Sequence, residues 1–125
     1  MATVVVGYVP KPEGEAALVR AIEEAQLRDA DLIVVNSHRS RGDVGEPDLG
    51  HAKALLDASG VSYEVRQLVR GFEAAEDLIS VAESHDADLL VIGLRRRTPV
   101  GKLILGSNAQ RVLLDAHCPV LAVKA

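Results

Sequence analysis

A chain of 125 residues is long enough for one domain with a real core and too short for two. Its net charge of −4 argues against general affinity for nucleic acid, which needs a basic face, and one Phe, two Tyr and no Trp leave little to stack on bases. Cys118 is the single cysteine, which excludes an internal disulfide and a cysteine zinc cluster and agrees with a reducing compartment. "MATVVVGYVPKP" has no basic, long apolar leader, and no uncharged apolar run approaches the roughly 20 residues that cross a bilayer. The expectation is a soluble cytoplasmic protein, residues 1–125 forming a single domain, with neither nucleic acid nor membrane as a partner.

In chain order, "TVVVGYV" (3–9) is a continuous apolar run of the kind found in strands buried on both faces. "PEGEAALVRAIEEAQLR" (12–28) follows with Leu18, Ile22 and Ala25 on one helical stripe, its glutamates elsewhere, and Pro12 placed for a first turn. "DLIVVNS" (31–37) is a second buried strand, and the glycine- and charge-rich connection 38–48 reads as a mobile loop. Residues 46–60 read as a helix closing on Gly60. In "VSYEVRQLV" (61–69), Val61, Tyr63 and Val65 alternate with Ser62, Glu64 and Arg66, which predicts a half-exposed edge strand. A helix over 72–86 turns Ala75, Leu78, Ile79 and Ala82 inward, and "DLLVIG" (88–93) is a fourth, buried strand. The last helix, 107–117, carries Ala109, Val112, Leu113 and Ala116 inward, and "PVLAVKA" (119–125) closes the chain as a fifth strand.

Strands alternating with helices through short connections predict a doubly wound parallel α/β sheet. Such sheets bind ligands beyond the carboxyl ends of their strands, where strand order reverses. "GLRRRTPVGKLILGSNAQ" (93–110) lies at that level and concentrates positive charge in an acidic protein. Gly93 lets backbone approach a ligand closely, and Gly106-Ser107 opens a helix whose first N–H groups are unpaired and sit at the positive end of the dipole. With Arg95, Arg96, Arg97 and Lys102 these features suit a phosphate-bearing ligand. A second explanation stands beside this one: Ser107 followed by Gln110 has the spacing of a capping box, and loop arginines commonly face water. Walker A is absent, since Arg96 and Leu103 occupy the places of its first glycine and its Ser/Thr. His38, His51, His85 and His117 are scattered without metal-ligand spacing, His117 having a dipole role at a helix end and Cys118 reading as a small buried hydrophobe. No GxSxG or HExxH signature points to catalysis.

"DADLLVIGLRRRTPVGKLILGSNAQRVLLDAHCPVLAVKA" resembles the C-terminal half of universal stress proteins. The family pattern of glycine, two residues, glycine, nine residues, then glycine and Ser/Thr maps onto Gly93, Arg96, Gly106 and Ser107, followed by "CPVLAVK". "VVVGYVPKPEGEAALVRAIEEA" resembles the family's opening and "DADLIVVNS" its second strand, so the likeness covers essentially the whole chain. It implies a three-layer α/β/α fold with a five-stranded parallel sheet of order 3-2-1-4-5 and four helices. It also implies ATP or another adenine nucleotide, with Mg²⁺, between the ends of strands one and four. The phosphate positions are then Gly93, Arg96, Gly106, Ser107 and Asn108, with Leu94 beside them. Val9 stands where the family has an adenine-contacting aspartate, Tyr8 is next to it, and Ser37 marks the end of strand two. Two departures from the pattern matter: a side chain at Arg96 crowds a backbone meant to follow a phosphate, and Val9 cannot accept a hydrogen bond from the base. The resemblance further implies a homodimer through the last strand, with Val120, Leu121, Ala122 and Val123 pairing antiparallel to their copies. The functional expectation is a non-catalytic regulatory or protective stress-response protein with an altered nucleotide site, the alternative being an adenine-nucleotide sensor using the Gly93–Ser107 loop. An enzyme of the wider adenine-nucleotide α-hydrolase-like group ranks last, because no matching loop or histidine motif is present.

Overall fold

A computed structural model describes residues 2–36, 49–67, 74–94 and 106–125. Strands β1 (Thr3–Tyr8), β2 (Asp31–Asn36), β3 (Tyr63–Gln67), β4 (Leu89–Leu94) and β5 (Val120–Lys124) alternate with helices α1 (Pro12–Arg28), α2 (Gly50–Ser59), α3 (Ala74–Ser84) and α4 (Ser107–Asp115). All strand pairs are parallel and the order is β3-β2-β1-β4-β5, as expected. β1 lies at the centre, with Val4 opposite both Leu32 of β2 and Leu89 of β4.

Alternation along the strands divides the core into two layers. Val4, Val6 and Tyr8 of β1, Leu32 and Val34 of β2, and Leu89 and Val91 of β4 pack under α1 and α2 with Ala17, Leu18, Ala21, Ile22, Ala52 and Leu56. Val5, Ile33, Val35, Leu90, Ile92 and Leu94 face the other way, against Ala75, Leu78, Val81 and Ala82 of α3 and Val112 of α4. Each fully buried Val or Leu contributes about 1.5–3 kcal/mol, so these two aliphatic layers hold the sheet without aromatic bulk.

Helix starts and stops follow local chemistry. Pro12 opens α1, and Asp29 closes it in the left-handed conformation at φ 51°, with the Ala30 N–H reaching the Ala25 carbonyl at 2.9 Å. Gly60 ends α2 at φ 77°, as the sequence predicts. β3 is an edge strand: Tyr63 and Val65 pack toward α1 and α2 while Arg66 reaches His85 Nε2 at 3.1 Å on the other face.

Several expectations need correction. α4 ends at Asp115, so His117 lies beyond its last turn, exposed and 3.9 Å from Glu83 Oε2. Leu113 is 40% exposed, because Ala109, Val112 and Ala116 already fill the inward stripe. Ile79 is only half-buried, and Val81 takes the deeper position. Cys118 is half-buried against the α3/α4 layer, where burial pushes its thiol pKa up. The expected start of α2 at 46 and the mobile loop 38–48 fall on or beside residues outside the described set.

Candidate functional site

Strand order reverses between β1 and β4, and an open crevice of about 180 Å³ lies at their carboxyl ends. Gly7 and Val9 of the first strand and its exit, Ile92 and Gly93 of β4, Glu13 and Gly14 of α1, Ala74 and Leu78 of α3, and Asn108, Ala109 and Val112 of α4 line it. Their convergence follows from the connections. β1 and β4 both end here, and α1, α3 and α4 all begin here.

Two glycines let α1 close over the strand ends. A Cβ on Gly93 would stand 2.0 Å from the Glu13 carbonyl oxygen, and one on Gly14 would stand 1.8 Å from the Val9 carbonyl oxygen. Gly93 is therefore required by helix packing, a role distinct from the approach to a ligand that its position suggests. Gly7 faces the opposite layer, where its missing Cβ leaves room beside Leu78.

α4 presents its N-terminal turn to this crevice through Asn108 and Ala109. Its N-cap is Gly106, with no side-chain capping bond, and Ser107 is the first helical residue. The capping box expected from Ser107 and Gln110 is thus out of register by one position and does not form. The first intrahelical bond runs from the Gln110 N–H to the Gly106 carbonyl at 3.0 Å. The N-cap glycine offers no side chain to the earlier N–H groups of the turn, which carry the positive end of the dipole.

The sequence-derived residues sort by which way each side chain points. Val9, Gly93 and Asn108 line the crevice, and Gly106 and Ser107 adjoin it at the start of α4. Tyr8 does not. Alternation turns it under α1, where it is 1% exposed and its hydroxyl donates to Glu15 Oε1 at 2.7 Å, with His51 Nε2 3.3 Å from the other carboxylate oxygen. Leu94 is buried in the α3/α4 layer and is not a lining residue. Ser37, Arg96, and with them Arg95, Arg97 and Lys102, lie outside the described residues.

Sequence reasoning passed over Gly7, Glu13, Gly14, Ala74, Leu78, Ile92, Ala109 and Val112 as lining residues. Strand alternation could have found Gly7, and position in the first turn after β1 could have found Glu13. It also missed Asn36, fully buried at the end of β2, whose amide donates to Gln67 Oε1 at 3.3 Å. Among the described residues no group of three His, Cys, Asp or Glu side chains could hold a metal ion, and no helix is long and apolar enough to cross a membrane.

Comparison with known proteins agrees with this fold. The model of the universal stress protein family matches residues 1–124. A universal stress protein of Mycolicibacterium smegmatis is 48% identical over 126 residues, covering 97% of this chain and 96% of that protein. The structure of a universal stress protein from Archaeoglobus fulgidus superposes with a TM-score of 0.77 at 37% identity, covering 99% of this chain and 98% of that one. A structure of the universal stress protein from Archaeoglobus fulgidus in complex with dAMP has a TM-score of 0.71 at 31% identity, with 99% and 98% coverage. From fold, strand order and these likenesses together, the chain belongs to the universal stress protein family.

Proposed function

We propose that this protein is a non-catalytic regulatory member of its family that holds an adenine nucleotide in the β1–β4 crevice and works as a homodimer joined through β5. The observation that carries the ligand reading is the first turn of α4, which meets the crevice with no side-chain cap on its N–H groups. A phosphate accepts from such groups and gains from the dipole. The adenine moiety is carried over from the related Archaeoglobus fulgidus protein solved with dAMP. Val9 offers the base no acceptor, so selection among bases is weak. A binding role, in place of catalysis, is favoured by the described lining, which is glycine and aliphatic side chains apart from Glu13 and Asn108. Mg²⁺, where it takes part, would arrive on the phosphates.

The dimer reading rests on the outer edge of β5. Leu90 N–H donates to the Pro119 carbonyl and Ala125 N–H to the Leu94 carbonyl, so by parallel alternation the backbone groups of Val120, Ala122 and Lys124 point away from β4. Val120, Leu121, Ala122 and Val123 are all half-buried, leaving an apolar edge for a second copy to cover.

Thermal unfolding with AMP, ADP, ATP and cyclic AMP, each with and without Mg²⁺, tests the ligand. Saturation at 100 times the dissociation constant adds about 2.7 kcal/mol of stability. Val9 also favours a second reading, in which the crevice has lost its ligand. Absence of any shift at millimolar nucleotide selects that one.

A further inference from the structure

We infer that His51, Glu15 and Tyr8 form a proton-responsive contact that ties the start of α2 to the exit of β1, and so to one wall of the crevice. The contact does not depend on which ligand the crevice takes. The Tyr8 hydroxyl donates to Glu15 Oε1 at 2.7 Å from a side chain that is 1% exposed. The other carboxylate oxygen, Oε2, is buried and accepts no hydrogen bond. His51 Nε2 stands 3.3 Å from it, within ion-pair distance but not aligned as a hydrogen bond, on a side chain that is 70% exposed. A buried acceptor without a donor is costly, and an exposed imidazole within reach can turn to supply one. The charged imidazolium does so best, since both ring nitrogens then carry protons and the bond is charge-assisted.

Charges around His51 act in both directions. Glu15 and Glu23 of α1 favour proton uptake, while Arg20, which borders the same open surface, and the positive end of the α2 dipole oppose it. Arg20 is itself paired, with Glu23 at 3.7 Å and Glu24 at 3.5 Å, so the Glu15 carboxylate is the charge His51 meets most directly. An imidazolium on Oε2 draws negative charge away from Oε1, which weakens the acceptor that holds the Tyr8 hydroxyl. The backbone carries this change onward. Tyr8 precedes Val9, Glu15 follows Gly14, and Gly14 is packed on the Val9 carbonyl. The Lys11 N–H reaches that carbonyl at 2.8 Å and the Glu15 N–H reaches the Lys11 carbonyl at 2.9 Å, so residues 9–15 form one tight turn. Val9 and Gly14 both line the crevice.

Tyrosine fluorescence tests this, because the chain has two Tyr and no Trp. Tyr63, whose hydroxyl donates to Asp57 at 2.6 Å, would add its own signal, so Tyr63→Phe leaves Tyr8 as the one reporter. A phenol bonded to a carboxylate loses emission by passing its proton in the excited state, so emission reads the Tyr8–Glu15 bond. Titrating Tyr63→Phe between about pH 8 and pH 5, where histidine gains its charge, should show one rise in emission as pH falls. The step should vanish when His51→Gln is added, and also with Glu15→Gln, which keeps an acceptor for Tyr8 without the charge. No step in Tyr63→Phe, or an unchanged step after His51→Gln, overturns the contact. In isotope-labelled unmodified protein, the amide resonances of Val9 and Gly14 should move with the same midpoint. Amides that stay fixed while Tyr8 responds overturn its reach to the crevice. Circular dichroism of each variant, matched to the unmodified protein, guards against a misfolded sample.

Discussion

Replacing Gly93 by alanine separates a glycine kept for packing from one kept for a ligand. The new Cβ would stand 2.0 Å from the Glu13 carbonyl oxygen and 3.2 Å from its Cα. A relaxed carbon–oxygen contact is about 3.3 Å, so α1 must retreat by roughly 1.3 Å or the end of β4 must bend. Such a retreat would open the packing of Gly14 on the Val9 carbonyl. Overpacking of this kind costs about 1–3 kcal/mol, and a backbone obstacle places it at the upper end. Alanine also restricts the unfolded chain, which offsets about 0.4–1 kcal/mol, leaving a net loss of about 2 kcal/mol. That corresponds to a fall in Tm of about 6–8 °C for a domain of this size. Gly7→Ala is the control on the opposite face. Its Cβ meets Leu78 Cδ1 at 2.9 Å, the mobile end of a side chain that borders the crevice, so the net change stays within about 0.5 kcal/mol. Urea unfolding of both variants, compared at equal m-values, reads the difference. A Gly93→Ala protein as stable as the unmodified one, or a Gly7→Ala protein equally damaged, would refute the packing role.

Three further outcomes follow from the same geometry. Val9→Asp adds an acceptor at the crevice, and should raise affinity for AMP about tenfold relative to a monophosphate whose base lacks the amino donor, measured by competition; equal gains for both would mean the base lies elsewhere. Ala122→Pro removes an outward N–H at the middle of β5 without touching the β4 ladder, so light scattering should show monomer where the unmodified protein is dimeric; a surviving dimer would place the interface away from β5. Burial raises the Cys118 pKa, so less thiolate is present at any neutral pH, and alkylation by iodoacetamide at pH 8 should run slower than for a free thiol and accelerate as pH rises; a rate at or above the free-thiol value would contradict that environment.

Strand pattern made the fold legible because burial on both faces leaves its mark residue by residue. Val4 to Val6 and Leu32 to Val35 have no polar interruption, as in parallel strands buried on both faces. The alternation of Tyr63 to Gln67 likewise marks an edge. Side-chain direction at the site was harder to read. Tyr8 and Val9 are neighbours in sequence, yet one lies under α1 on Glu15 while the other lines the crevice, and only the register of β1 in the sheet decides which. The start of α4 at Ser107 was read correctly, but its capping was not, for a comparable reason. Ser107 and Gln110 satisfy a capping-box spacing, but the backbone becomes helical one residue earlier than that motif requires, and the spacing alone contains no information about φ and ψ.

The shift in capping matters more to function than its single-residue size suggests. Had Ser107 been the N-cap, its hydroxyl would have satisfied an N–H of the first turn, and a ligand there would have had to displace it. With Gly106 in that place, the cap residue has no side chain to compete for the donors of the turn, which borders the crevice. Gly93 contributes indirectly. By admitting the Glu13 carbonyl it brings the first turn of α1 down onto the strand ends, so that this turn and the first turn of α4 both border one small space. In this chain the crevice is bordered by the first turn of α1 as well as by Gly93 and the start of α4. A side chain at residue 14, where a Cβ would stand 1.8 Å from the Val9 carbonyl oxygen, should therefore distort the crevice even where Gly93 and Asn108 are left intact.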